Sequence, residues 1–334
     1  MLKYTSKLSD FETQKAISLI KDKFSTELCD SLDLTRVTAP LFVKTESGLN
    51  DNLNGVERPV SFDILETGEI AEVVHSLAKW KRLALHKYGF PMHTGLYTDM
   101  NAIRRDENTD AIHSIYVDQW DWEKVITKEQ RTLETLKATV SAIYATLKNT
   151  ETYMLKEYPA LAEAYTKNPL PEEIYFVTTQ ELEDMYPTMT GKEREHTISR
   201  EKGAVCIMQI GGKLKSGNKH DGRSPDYDDW TMNCDILLYF DVLDIGLEIS
   251  SMGVRVDETA LERQLDEAGC NDRKSLPFHK AVLEKKLPYS IGGGIGQSRL
   301  CMFFLKKMHI GEVQASVWPE AQENELLSKG CKLL

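Results

Sequence analysis

Ile17, Ile20, Phe24 and Leu28 recur at intervals of three and four, so residues 11 to about 29 are predicted as a helix with one apolar face. Asp10 stands where a cap would sit. The same spacing predicts helices over 71–88, over 129–148 through Leu133, Leu136, Val140, Ile143, Tyr144 and Leu147, and over 191–202, 259–268, 277–286 and 297–307. Residues 34–43 read as extended, with Pro40 suited to an edge or a strand start. Residues 96–104 and 113–122 read as a hairpin around a charged loop of about seven residues. Strands are further predicted at 205–210, 235–240 and 245–256, and loops at 45–59 and 211–230, with a break from Pro159 to Pro171. Crossover helices do not follow the strands in regular alternation. That pattern predicts an α+β fold with a mixed, mainly antiparallel sheet flanked by helices. No repeat or long linker divides the chain, so residues 1–334 are expected to form one domain.

Composition narrows the partners. Lys and Arg number 41 against 52 Asp and Glu, a formal net charge of -11 that disfavours bulk attraction to nucleic acid. No apolar run approaches the roughly 20 residues of a membrane span, and Met1–Tyr4 is not followed by the apolar stretch expected of a signal peptide. Cys29, Cys206, Cys234, Cys270, Cys301 and Cys331 form no close pair, and the histidines are scattered. A reducing cytoplasm is the expected setting and a protein-only transition-metal site is not expected, whereas magnesium shared with phosphates needs only carboxylates.

Candidate chemistry gathers in four places. Gly292-Gly293-Gly294-Ile295-Gly296 is followed by Gln297-Ser298-Arg299, where a helix should begin. Closely spaced glycines admit a ligand to the backbone, and a helix start with an arginine suits an anion. The string lacks the Gly-Lys-Ser/Thr of a Walker loop and lies too late in the chain for a dinucleotide loop, so a nucleotide would be held by a different fold. On the strand from His113, Gln119 and Asp121 should share one face and Asp118 the other; a polar substrate floor and a water-facing strand both fit. Ile245, Leu247 and Ile249 alternate with Gly246, Glu248 and Ser250. This suits either a magnesium or ribose carboxylate with a phosphate-binding Ser250 or Ser251, or a solvated sheet face. Arg255 could fork onto a carboxylate. Asp221, Asp226, Asp228 and Asp229 crowd one segment, which calls for a metal or an α-amino group among them unless it is a solvated loop. Asp51 and His75 are weaker candidates, and no Ser-His-Asp spacing appears.

These segments resemble the motifs of the class II aminoacyl-tRNA synthetase fold. Arg104-Arg105-Asp106-Glu107 with the strand from His113 resembles the second motif. Gly292 to Arg299 resembles the third, and residues 11–43 with Pro40 the interface-forming first. Within that superfamily the chain resembles the ammonia-dependent aspartate–ammonia ligases. The resemblance rests on Asp51-Asn52-Leu53-Asn54-Gly55, His75 to Arg82, Gly95 to Thr98, Tyr116 to Glu123, Ile210 to Leu214, Ser224 to Trp230, Ser250 to Gly253 and Gly292 to Leu300. Cys234 departs from it, standing where a glycine is common.

The resemblance implies conversion of L-aspartate, ATP and ammonia to L-asparagine, AMP and pyrophosphate through a β-aspartyl-adenylate. It implies a homodimer, Mg2+, and no nucleic-acid or membrane partner. Arg104, Lys81, Gln119 and Arg299 would act on the reacting groups. Asp51, Ser76, Lys81, Gln119, Asp121, Asp228 and Arg255 would form the amino-acid pocket. Arg104, Asp235, Glu248, Ser251, Gly294 and Arg299 would face the nucleotide, with Asp235 and Glu248 on the metal. Two rivals share the motifs. An aspartyl- or asparaginyl-tRNA synthetase-like enzyme would charge tRNA, and a non-catalytic paralogue should lack the arginines and glycines present here.

Overall fold

The computed structural model describes residues 4–53, 55–167 and 169–334. Met1–Lys3, Asn54 of the Asp51–Gly55 string and Asn168 of the expected break lie outside the described residues. The strands are β1 Leu34–Arg36, β2 Phe42–Lys44, β3 Ser61–Asp63, β4 Ile70–Val73, β5 Gly95–Ile103, β6 Tyr116–Val125, β7 Tyr175–Thr178, β8 Ala204–Met208, β9 Asp228–Phe240, β10 Ile245–Arg255 and β11 Ser290–Gly296. The helices are α1 Asp10–Leu32, α2 Ala78–Tyr88, α3 Leu133–Glu157, α4 Ala162–Lys167, α5 Thr179–Met185, α6 Gly191–Lys202, α7 Glu258–Glu267, α8 Pro277–Leu283, α9 Gln297–Phe304 and α10 Glu320–Ser328. One eight-stranded sheet runs β1-β5-β6-β11-β10-β9-β8-β7, and β2-β4-β3 form a small separate sheet. Only the outer pairs β1–β5 and β7–β8 of the large sheet are parallel.

α1 buries Ile20, Phe24 and Leu28 against α3 and the back of the sheet, where Trp120, Trp122, Ile236, Met252, Ile291 and Ile295 complete the main core. Side-chain alternation then sends the odd-numbered residues of β6 and the even-numbered residues of β11 to the front. α2 crosses that front over β5, β6 and β11, and α6 crosses it over β8, β9 and β10. The sheet between them is left uncovered, and the cavity described below lies there.

Several expectations are corrected. Ser9, not Asp10, caps α1: its hydroxyl accepts from Glu12 N while the Glu12 carboxylate accepts from Ser9 N at 2.9 Å. Residues 71–77 are not helical. Ala71 and Val73 alternate with Ile70 and Glu72 in β4, and a turn through His75 intervenes before α2. The hairpin loop is longer than seven residues, because β5 stops at Ile103 and β6 starts at Tyr116. Asp228 to Trp230 belong to β9 and not to a loop. β7 and α5 were not predicted; both are short, and α5 owes its start to a capping box of Thr178 and Glu181.

Candidate active site

The front of β6 presents Gln119, Asp121 and Glu123, with Trp120 and Trp122 turned to the core. β11 lies beside it and presents Gly292 and Gly294. A Cβ at Gly294 would stand 2.5 Å from Gln119 Oε1 and 2.8 Å from Asp121 Oδ1, so glycine keeps the space above the sheet open. β10 supplies the far wall through a register shift. Glu248 pairs with Leu237 and Ser250 with Ile236, which leaves Ile249 as an extra residue. Leu247 and Ile249 face the core before the shift, Met252 and Val254 after it. The expected pairing of Glu248 with Ser250 on one face is therefore replaced by Glu248 with Ser251 and Arg255.

The resulting cavity has a volume of about 330 Å3; of the residues to which the resemblance gives a role, all but Asp235 line it, whereas His75, Asp221, Asp226 and Asp229 do not. The half toward α2 and Asp228 is dense with paired charge. Lys81, only 1% exposed, reaches from α2 to Asp121 Oδ1 at 3.1 Å and to the Gly293 carbonyl at 2.8 Å. Burial lowers the Lys81 pKa, and Asp121 opposes that effect. The other Asp121 oxygen accepts from Leu77 N, at the start of α2, at 3.2 Å. Asp51 Oδ2 accepts from Ser76 Oγ at 2.7 Å and from Tyr227 OH at 3.1 Å. Arg255 forks as expected, but onto the protein itself: onto Glu123 through Nε and Nη2, at 2.7 Å for the latter, and onto Asp228 through Nη1. Burial raises the Asp228 pKa against the pull of Arg255. For Glu123, burial pushes upward but Arg255 prevails and lowers it.

The other half carries arginines. Arg104 lies just past β5, its backbone N donating to Ile115 O at 2.8 Å, and its Nε is buried with no hydrogen-bond partner among the described residues. Arg299 donates to the Glu248 carbonyl at 3.1 Å, and its Nη1 stands 3.8 Å from the Glu248 carboxylate. Asp235, opposite Ser251 in the ladder, pairs with Arg223 and leaves Oδ1 buried without a hydrogen-bond partner among the described residues. Burial and the neighbouring Glu248 raise the Asp235 pKa to about 7, although Arg223 opposes them. Burial would raise Glu248 as well, but Arg299, Arg223, Lys192 and Arg104 outweigh it and lower its pKa.

Two inferences from the sequence change here. The start of α9 already has an anion: Asp118 accepts from Ser298 N at 3.1 Å and Ser298 Oγ at 2.8 Å. The crowded carboxylates are already met by basic side chains of the protein. Arg273 and His279 meet Asp226, Arg255 meets Asp228, Arg131 and Arg263 meet Asp229, and Lys192 stands 3.6 Å from Asp221. Glu123 and Arg223 were missed. Alternation alone placed Glu123 with Gln119 and Asp121, and Arg223 is the one basic residue within the acidic segment Asp221–Trp230.

Comparison with known proteins agrees with this geometry. The family model described as aspartate–ammonia ligase matches residues 11–330. An aspartate–ammonia ligase of Ruminiclostridium cellulolyticum is 61% identical over 323 residues, covering 96% of this chain and 95% of its own. One of Fusobacterium nucleatum is 59% identical over 331 residues, 99% of each chain. Among solved structures, Entamoeba histolytica asparaginyl-tRNA synthetase superposes with a TM-score of 0.62 at 15% identity, over 91% of this chain and 67% of its own. Pyrococcus horikoshii asparaginyl-tRNA synthetase complexed with asparaginyl-adenylate gives 0.61 at 15%, over 92% and 70%. These likenesses establish the class II synthetase fold.

Proposed function

Because the chain belongs to the aspartate–ammonia ligase family, we propose that it joins L-aspartate and ammonia into L-asparagine, converting ATP to AMP and pyrophosphate through a β-aspartyl-adenylate. Ammonia does not readily displace oxide from a carboxylate. In the first step a β-carboxylate oxygen attacks the α-phosphorus, a phosphorus–oxygen bond breaks and pyrophosphate leaves. In the second, nitrogen attacks the acyl carbon, AMP leaves and one proton is lost from nitrogen. Negative charge is handled on phosphate oxygens throughout, so positioning and fixed positive groups supply most of the acceleration.

The observation that carries this reading is one cavity holding both a buried half of paired charge and an arginine half, with the Arg104 Nε donor unsatisfied among the described residues. Arg104 would take the α-phosphate and the reacting carboxylate. Arg299 would take the far phosphates or pack on adenine, and Ser251 and the open backbone at Gly294 would border the nucleotide. Asp51, Ser76, Lys81, Gln119, Asp121, Asp228 and Arg255 would hold aspartate, acids toward its amino group and bases toward its carboxylates. Asp235 and Glu248 fit a magnesium ion, because Asp235 Oδ1 is an orphaned acceptor and the pair repel each other. Among the described residues no group of three or more potential ligands forms, so ATP phosphates would complete the shell. Bound there, magnesium would neutralise phosphate charge.

The reading extends to the chain acting as one catalytic domain, as a homodimer, in the cytoplasm, without nucleic acid. No helix among the described residues is long and apolar enough to cross a membrane. The test is product analysis with L-aspartate, ATP and magnesium, with and without ammonium. Ammonium-dependent asparagine with equimolar AMP is expected. ADP as the product would overturn the adenylate, and aspartate-dependent pyrophosphate exchange without asparagine would favour a tRNA-charging enzyme.

A further inference from the structure

A second cavity, of about 180 Å3, shares Asp51 with the first and is also lined by Asn50, Glu57, Glu72, His75 and Arg273. His75 is 1% exposed and fixed at two points, one of them an Asn50 that is itself held by Glu72. Its backbone N donates to Asn50 Oδ1 at 2.8 Å, Asn50 Nδ2 reaches Glu72 Oε2 at 3.1 Å, and its ring Nδ1 lies 3.0 Å from the Asp51 carbonyl. A carbonyl only accepts, so Nδ1 carries the proton and, in the neutral ring, Nε2 carries the lone pair. That Nε2 is buried and has no hydrogen-bond partner among the described residues. The charged groups around it are the carboxylates of Asp51, Glu57 and Glu72, the guanidinium of Arg273, whose Nη1 is held by Asp226 at 2.7 Å, and the buried ammonium of Lys79, which interacts with Asp51, Glu72 and Asp226. The lining is therefore rich in acceptors, and one buried acceptor is unused. A small cationic donor fits it, and the volume exceeds the roughly 30 Å3 share of one water.

We propose that this cavity is an ammonium vestibule in which His75 is the base. Ammonium settles between Glu72 and Nε2 of His75. One N–H bond breaks, its electron pair stays on the nitrogen, and an Nε2–H bond forms. Neutral ammonia passes Asp51 into the aspartate cavity, and the imidazolium returns its proton to water at the exposed rim by Gly55. The lone pair that attacks the acyl carbon is thus generated beside the site. This inference rests on the ligase reading above.

Three readouts on the purified full chain test it: aspartate-dependent ATP–pyrophosphate exchange, ammonium-dependent asparagine formation, and hydroxamate formation with hydroxylamine. Hydroxylamine is largely unprotonated near neutrality and needs no base. His75→Gln should leave exchange and hydroxamate formation within about twofold while lowering ammonium-dependent amidation about 100-fold, the deficit shrinking as alkaline pH supplies free ammonia. Glu72→Gln should raise the KM for ammonium by roughly 3- to 10-fold with the KM for aspartate unchanged. Parallel loss of all three activities in His75→Gln would overturn the proposal, since the ring would then serve only to hold Asp51. Undiminished ammonium use in that variant would also overturn it. A wild-type chain that exchanges pyrophosphate but makes no asparagine overturns the ligase reading itself, and the vestibule with it.

Discussion

Arg104 and Arg299 sit in the same cavity with different protein partners. Among the described residues Arg104 Nε has no hydrogen-bond partner, whereas Arg299 meets Glu248 through both its carbonyl and its carboxylate. Arg299→Ala should therefore fold and still lose adenylate formation by about 100-fold or more, read by pyrophosphate exchange. Near-normal exchange would remove it from the nucleotide site. Asp235 offers a different test. Its pKa is raised from 3.8 to about 7 in the folded chain, so its contribution to stability is full below the unfolded value and lost as pH rises through about 7. The Tm of Asp235→Asn should gain on the wild type from about pH 4 to about pH 7 and level off above that. A constant difference would contradict the shift. Arg255 is held by Glu123 and Asp228, and its loss leaves two buried carboxylates unpaired, a cost of about 3–5 kcal/mol. At this scale the sequence was a fair guide to which residues meet and a poor one to what they touch. The Arg255 fork was legible as chemistry, but Glu123 as its partner required the strand register. Asp118 was placed correctly on the opposite face of β6 from Asp121, yet its role at the start of α9 depends on two segments far apart in sequence.

Elements turn these residues into a site, and β11 separates the two faces most clearly. Gly294 faces the cavity, where a Cβ meets the ends of the Gln119 and Asp121 side chains. Gly293 faces β10, where a Cβ meets Met252 Cβ at 2.5 Å and the Ser251 carbonyl at 2.8 Å. Gly294→Ala should keep its Tm and raise the aspartate KM at least about tenfold, because a flexible side-chain end can move but the substrate volume shrinks. Gly293→Ala should instead destabilise by about 1–3 kcal/mol, because backbone and a packed Cβ cannot move as cheaply. Equal effects on KM and Tm in both variants would refute the division. Long amphipathic helices such as α1 and α3 were legible because their periodicity extends over several turns. β4 was absorbed into a helix since its four residues are too few for period two to stand out. The loop before β6 is longer than expected because His113–Ile115 continue the apolar-polar alternation but lie outside the β5–β6 ladder, which starts at Tyr116.

For the whole molecule, the open question is assembly. Leu41 and Phe42 follow Pro40 and are 53% and 46% exposed, in the segment expected at a subunit seam. Light scattering should give twice the mass of one chain, and a Leu41→Asp, Phe42→Asp double variant should shift toward the monomer. An unaltered mass would place the seam elsewhere. The α+β class and the mainly antiparallel sheet were legible from the absence of regular crossovers. The strand order was not, since β11 inserts between β6 and β10 from more than 150 residues beyond β6.

The extra residue in β10 gives this enzyme an unusual kind of dependence. Glu248 and Arg255 serve one cavity only because Ile249 shifts the count between them by one. Any substitution at Ile249 preserves that count. Deleting a single residue there would turn Arg255 and Ser251 into the apolar core and bring Met252 and Val254 out onto the substrate floor. The site is therefore guarded by parity as much as by identity, and drift along this strand can proceed by replacement but not by gain or loss of one position.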